Sequence, residues 1–256
     1  MFYVDYLKRG YLMKDNKILL VTGASSDVGS LLIDNVAHNY YRVIAHYRSN
    51  KNTVERLREK YGNIIIPIQS DFSDLESIQE MINMIKIQKL CPDHIVHLSS
   101  PKVNNLQFHK NKWDEFEYEM NSSLRPIVMM CQQFIPFMSK QKSGKIIFML
   151  TAYLIGQPPK FLSPYITTKY SLLGLMKSLN SEYASKGISI NAISPEMIET
   201  KFLSELPELI KEQSAGNSPI KRNLEVGEVV PTIEYLLSER ADRICGQNIG
   251  ITSGIR

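Results

Sequence analysis

Three cysteines in 256 residues, Cys91, Cys131 and Cys245, are too few and too widely spaced for a disulfide framework. Their odd number and the absence of a CxxC pair point to a reducing, cytoplasmic setting. Long apolar runs are also missing. The longest, Ile146 to Ile155, spans about ten residues against the roughly 20 that a membrane helix needs. The segment from Met1 to Lys17 is interrupted by Lys8, Arg9, Lys14 and Asp15 and holds no signal-peptide core. Charge of one sign is scarce: 30 Lys+Arg against 26 Asp+Glu leave +4, dispersed along the chain, which argues against a nucleic-acid partner and still admits an anionic ligand. Metal-ligand spacing is lacking as well, since His94 and His97 fall three apart in an expected strand and face opposite sides, with His109 remote. No metal is expected.

What is present is an ordinary globular composition, 43% hydrophobic and 22% charged. A chain of this length buries roughly 70–75% of its unfolded surface, enough for one large core. Near-continuous apolar runs at Lys17–Val21, Arg42–Ala45, Ile64–Ile66, His94–Leu98, Lys145–Leu150 and Ile188–Ile193 read as buried strands. Helical patterns lie between them at Val28–His38, Thr53–Lys60, Asp74–Lys89, Asp114–Ser139 and Leu162–Lys186. This alternation predicts a single α/β domain: a Rossmann-type doubly wound parallel sheet in three α/β/α layers, over residues 17–256. Residues 1–16 form an N-terminal extension without an assigned role. Ligands in such a sheet bind beyond the carboxyl ends of the strands.

The first strand runs into Thr22-Gly23-Ala24-Ser25-Ser26-Asp27-Val28-Gly29. Gly23 allows a tight turn and Gly29 a close helix–sheet approach, so Gly23, Ser25, Ser26, Val28 and Gly29 are candidate phosphate contacts. Asp27 either caps the helix that follows or repels a pyrophosphate. After the second strand comes Tyr47-Arg48-Ser49, where a ribose-binding acid would stand in an NAD enzyme. A guanidinium there suits a 2′-phosphate, so NADP(H) is expected over NAD(H). Tyr165 and Lys169, four apart on an expected helix, share a face, and an ammonium beside a phenol lowers the phenol's pKa.

Taken together and in order, the Thr22–Gly29 turn, Asp71-Phe72, Asn121, Tyr165/Lys169, Asn191–Pro195 and Cys245–Asn248 resemble the short-chain dehydrogenase/reductase family. The resemblance implies Tyr165 as general acid, Lys169 as its partner and ribose anchor, and Asn121 as the proton-relay asparagine. It also implies an adenine contact at Asp71 and Phe72, and cofactor contacts at Ser99, Pro195, Ile198 and Thr200. A substrate lid near residues 196–220 follows from it, with Met197, Phe202, Leu203, Leu206, Leu209 and Ile210 as an apolar lining. Such a protein reduces a ketone or acyl-thioester carbonyl to an alcohol, like the 3-oxoacyl-carrier-protein reductases, and assembles as a homodimer or homotetramer. The long helices are expected to carry that assembly through Met129, Met130, Phe134, Leu172, Leu173 and Met176, an apolar surplus over one sheet face.

Departures from the family pattern are explicit. His97-Leu98-Ser99-Ser100 replaces its Asn-Asn-Ala-Gly, and Glu196 replaces the glycine after Pro195. Counting back from Tyr165 puts Ala152 in the catalytic serine's place, whereas matching the strand puts Thr151 there; Thr151 is the expected carbonyl-polarising residue. The rival reading is a degenerate member of the fold that binds NADP(H) without turning it over, and a third is sugar epimerisation or dehydration. Lys140, Lys142 and Lys145 make a basic patch that suits an acidic carrier or, more simply, a solvated helix end.

Overall fold

The computed structural model describes residues 16–201, 203 and 208–254. The extension expected over 1–16 therefore falls outside the described residues but for its last position, as do Phe202 and Leu206 of the expected lid. Seven parallel strands, β1 (Ile18–Thr22), β2 (Arg42–Tyr47), β3 (Ile65–Gln69), β4 (His94–His97), β5 (Gly144–Met149), β6 (Ile188–Pro195) and β7 (Asn248–Ile251), form one sheet. Their order is β3-β2-β1-β4-β5-β6-β7. The strand order reverses between β1 and β4, where Thr22 is paired with His97, and the crevice that binds ligands in such sheets opens there.

The strands are apolar because both faces are covered. Along β1, Ile18 and Leu20 belong to one core and Leu19 and Val21 to the other, the two-residue alternation of a pleated strand. The helices are α1 (Asp27–Val36), α2 (Lys51–Tyr61), α3 (Leu75–Ile87), α4 (Trp113–Glu119), α5 (Arg125–Gln141), α6 (Ser163–Tyr183), α7 (Glu208–Asn217) and α8 (Val226–Leu237). Buried side chains of α1, α2 and α8 fill one core, and those of α3, α5 and α6 fill the other. Each such Leu or Ile contributes about 1.5–3 kcal/mol by leaving water.

Four expectations change in the folded chain. The helix expected over 114–139 is broken by a π turn at Met120–Leu124, where the Arg125 N–H reaches back five residues to the Met120 carbonyl. β7 was not expected, because Asn-Ile-Gly-Ile is short and lacks a continuous apolar run. It is held by polar groups of β6: Asn191 Oδ1 accepts from the Gln247 N–H (3.0 Å), and the Ser194 hydroxyl donates to Asn248 Oδ1 (2.7 Å). The apolar surplus is absent, since Met130, Phe134, Leu172 and Met176 are fully covered within one chain; only Met129 and Leu173 are half-buried. The basic patch loses Lys145, which lies buried in β5 and pairs with Asp242.

Candidate active site

The loop after β1 is shaped by two glycines. Gly23 has φ +69°, and a Cβ on it would stand 3.3 Å from the Ser99 nitrogen. A Cβ on Gly29 would stand 2.4 Å from the Gly23 carbonyl oxygen, inside contact distance. Ser26 caps α1, accepting from the Gly29 N–H (3.0 Å) and donating to the Gly23 carbonyl (2.7 Å). Asp27 is therefore not the cap. It occupies the first helical position, and its carboxylate accepts from the Lys201 N–H (2.7 Å), tying the loop to the segment after β6. Val28 is buried beneath the loop and Ser25 is half-buried on it. The Thr22 hydroxyl oxygen accepts from the Leu98 and Ser99 N–H groups (3.1 and 3.3 Å), joining the loop to the end of β4.

Tyr47 closes β2 and is buried, while Arg48 and Ser49 beyond it are exposed. Arg48, Ser49, Gln69, Ser70, Asp71 and Ser77 line a cleft of about 480 Å³. Burial alone would raise the Asp71 pKa. Hydrogen bonds from the Ser73 N–H and hydroxyl, helped by Arg48 and His46, instead hold it below the usual carboxylate range. The Phe72 ring turns away from the cleft and stacks on His46 with centroids 4.0 Å apart. Pro195 closes β6, Ile198 bridges to Leu224, and Thr200 donates to the Ile198 carbonyl (3.3 Å). Of the described lid residues Leu203 is buried, whereas Leu209 is 63% exposed and α7 buries none of its side chains.

Tyr165 and Lys169 stand in the first two turns of α6, with the ammonium 5.5 Å from the phenol ring's centre. Lys169 donates to the Met149 carbonyl (3.0 Å), which anchors it at the end of β5. Burial lowers the Lys169 pKa to about 8, with Glu119 opposing. Burial, with Tyr153 and Glu119 adding to it, pushes the Tyr165 phenol above its ordinary value, while a hydrogen bond from Thr151 favours the phenolate. Tyr165 is thus a protonated acid in the free protein. Thr151, not Ala152, is the hydroxyl brought to Tyr165; its side chain also accepts from the Tyr153 N–H (3.4 Å), which fixes its rotamer at the end of β5. Asn121 lies half-buried at the start of the π turn.

One titratable group in this cluster had no assigned role. Glu119 is 5% exposed, and its Oε2 has no hydrogen-bond partner among the described residues. Burial pushes it up to about 7, Lys169 opposing and Glu115 adding. Spacing carries a signal for it: Glu119, Ser122, Ser123, Pro126, Ile127 and Met130 recur at three- and four-residue steps and are all buried, so an acid in that pattern faces the interior. Among the described residues no group of three His, Cys, Asp or Glu converges on a metal position.

A family model described as enoyl-(acyl carrier protein) reductase matches residues 23–256. The 3-oxoacyl-[acyl-carrier-protein] reductase FabG of Staphylococcus epidermidis is 29% identical over 246 residues, covering 94% of this chain and 99% of that one. The chain belongs to the short-chain dehydrogenase/reductase family. Membership makes it an oxidoreductase acting on hydroxyl and carbonyl groups. An uncharacterized oxidoreductase of Bacillus subtilis, YmfI, is 27% identical over 252 residues, 93% of this chain and 98% of that one. Among solved structures, a 3-oxoacyl-[acyl-carrier protein] reductase from Brucella melitensis superposes with a TM-score of 0.82 at 22% identity, covering 95% of this chain and 93% of that one. The L-sorbose reductase of Gluconobacter frateurii, complexed with NADPH and L-sorbose, superposes with a TM-score of 0.83 at 20% identity over 93% and 96% of the two chains. Both show the same short-chain dehydrogenase/reductase fold. No helix among the described residues is long and apolar enough to cross a membrane.

Proposed function

We propose that this short-chain dehydrogenase/reductase uses NADPH to reduce a ketone or 3-oxoacyl-type carbonyl to the alcohol, with Tyr165 as general acid. The observation that carries the proposal is the Thr151–Tyr165–Lys169 cluster, in which a protonated phenol meets a hydroxyl from the end of β5 and an ammonium one helical turn away. The loop fits a dinucleotide: Gly23 leaves against Ser99 a space that a side chain would fill, and the N-terminus of α1 offers N–H groups to a phosphate. Gly23, Ser25, Ser26, Val28, Gly29 and Ser99 would hold its phosphates and ribose, and Tyr47, Arg48, Ser49 and Asp71 its adenosine end. Phe72 would serve from beneath, through its packing. Pro195, Ile198 and Thr200 would face the reduced nicotinamide, which would supply the hydride that forms the new C–H bond.

The chain's own groups handle the proton. The Thr151 hydroxyl polarises the carbonyl, Tyr165 donates its proton to the developing alkoxide, and Lys169 stabilises the phenolate that remains. Asn121 lies on the route by which that proton is replaced. The acyl-thioester reading is supported by the name of the Staphylococcus epidermidis relative. Assembly as a homodimer or homotetramer is a further part of the reading that rests on the family resemblance. NADPH oxidation against a panel of acyl thioesters, diketones and keto sugars tests it. Turnover should appear with a carbonyl substrate and fall about 10²–10⁴-fold in Tyr165→Phe, with NADPH binding kept within a few-fold. A Tyr165→Phe protein retaining more than about a tenth of the turnover refutes the general-acid role.

A further inference from the structure

His97 and His46 are buried at the carboxyl ends of β4 and β2, at 2% and 1% exposure. Neither belongs to the proton-transfer cluster, yet each ties together segments that border it. The Ser123 carbonyl is only an acceptor, so His97 Nε2 carries a proton and donates to it (3.1 Å). His97 Nδ1 is then an acceptor and takes the Thr22 hydroxyl proton (2.9 Å). The Thr22 oxygen, its proton committed, receives the Leu98 and Ser99 N–H groups. The same logic holds for His46: Nε2 donates to the Ser70 carbonyl (3.0 Å), and Nδ1 accepts from the Gly23 N–H (3.2 Å).

The two imidazoles are packed on one phenyl. Phe72 stacks on His46 at 4.0 Å and 4°, and its ring centre is 6.3 Å from that of His97 at 25°. The backbone at Gly23, at Leu98–Ser99 and at Ser123 is therefore attached to a single block of three buried rings. His46 reaches the phosphate loop and the cleft residue Ser70. His97 reaches the phosphate loop and the π turn that carries Asn121. An imidazole does this because its two ring nitrogens point in divergent directions at fixed separation, one donating and one accepting.

We propose that His46 and His97 are positioning residues with separable duties: His46 sets the phosphate loop against the adenosine cleft, and His97 sets the π turn against that same loop. The inference rests on the reading of this cleft as the NADPH site. The charged groups facing the rings are Lys169 toward His97 and Asp71 toward His46. Both rings stay in the neutral Nε2–H form while the block is intact.

Two measurements test this. Imidazole ¹⁵N NMR of the wild-type protein should show both rings neutral with the proton on Nε2 down to about pH 5, and both Nδ1 signals should shift when NADPH is added. A proton on Nδ1 of either ring, a titration near the ordinary histidine value, or signals indifferent to bound NADPH overturns the proposal. The second measurement compares His46→Leu, His97→Leu and His97→Gln by NADPH titration and by kcat at saturation. His46→Leu should raise the NADPH dissociation constant by a larger factor than it lowers kcat. His97→Leu should lower kcat by the larger factor, about tenfold or more, and His97→Gln, which restores an N–H toward Ser123, should recover part of it. Proportional losses in both quantities for both positions, or no recovery with glutamine, would mark the rings as general core packing and overturn the split. A wild-type protein that takes up no NADPH refutes the proposed function instead, while the tautomers of the free protein still report on the block.

Discussion

Acidification from about pH 6.5 to about pH 4.5 is expected to cost the wild-type protein roughly 3 kcal/mol of stability, and Glu119→Gln about twice that. Burial pushes His46 down to about 4, with Ser70 and Asp71 opposing. Burial, with Lys169 and His46 adding to it, pushes His97 down to about 3, and Ser123 opposes. In the unfolded chain both titrate near 6.5. Their stabilising contribution is thus complete above that value and is lost as pH falls toward the folded values. Over this window the unfolded chain takes up two protons that the folded chain refuses, each worth about 1.4 kcal/mol per pH unit. Glu119 has the opposite sign. Its folded value, about 7, lies above its usual one, so the folded chain takes up a proton first as pH falls, returning about 1.4 kcal/mol per pH unit until the unfolded glutamate titrates near 4.3. One uncompensated proton over about two pH units gives roughly 3 kcal/mol, and removing the glutamate exposes the full two-proton slope of roughly 5–6 kcal/mol. Against a typical total of about 5–15 kcal/mol, the variant should unfold at a visibly higher pH. Urea unfolding at three pH values across the window measures both slopes. Parallel slopes for wild type and Glu119→Gln would refute the raised pKa of this buried acid, and a flat wild-type profile would refute the neutral histidines.

Thr151→Ala should reduce turnover by about 10²–10³-fold with little change in NADPH affinity, while Ala152→Ser should add nothing, as steady-state kinetics with a matched substrate will show. A strong gain from Ala152→Ser would reverse the assignment of the hydroxyl. Arg48→Ala should bring NADPH and NADH affinities together by removing a charge-assisted contact worth roughly 1.5–3 kcal/mol, or about ten- to a hundredfold; fluorescence titration of the two cofactors reads it, and unchanged NADPH affinity would place the guanidinium in solvent. Gly29→Ala puts a Cβ 2.4 Å from the Gly23 carbonyl oxygen, so thermal unfolding should show a loss of about 1–3 kcal/mol and NADPH binding should weaken with it.

The sequence by itself determined the features that depend on neighbours close along the chain. The run Ile18–Val21 is apolar throughout because both faces of its strand are covered, and that pattern is visible without coordinates. Gly23 and Gly29 announce a turn and a close approach by lacking a side chain, and Tyr165 and Lys169 share a face through the pitch of one helix. Tertiary structure alone decided whatever depends on a distant partner. From the sequence Asp27 reads either as a helix cap or as a charge that repels a pyrophosphate, whereas in the fold Ser26 is the cap and the acid's partner is the Lys201 N–H, 174 residues away. That the Thr151 hydroxyl lies against the Tyr165 phenol depends on how the chain leaves β5 toward α6, which spacing along the sequence does not give. The π turn shifts the register of a pattern that reads as one continuous helix, and β7 forms by parallel pairing with β6, flanked by the side-chain contacts of Asn191 and Ser194, a pairing that the short Asn248–Ile251 segment does not announce. His97 shows the boundary between the two kinds of information. Its departure from the family's asparagine is legible in the sequence, but the direction of its proton follows only from Ser123 lying on one side of the ring and Thr22 on the other.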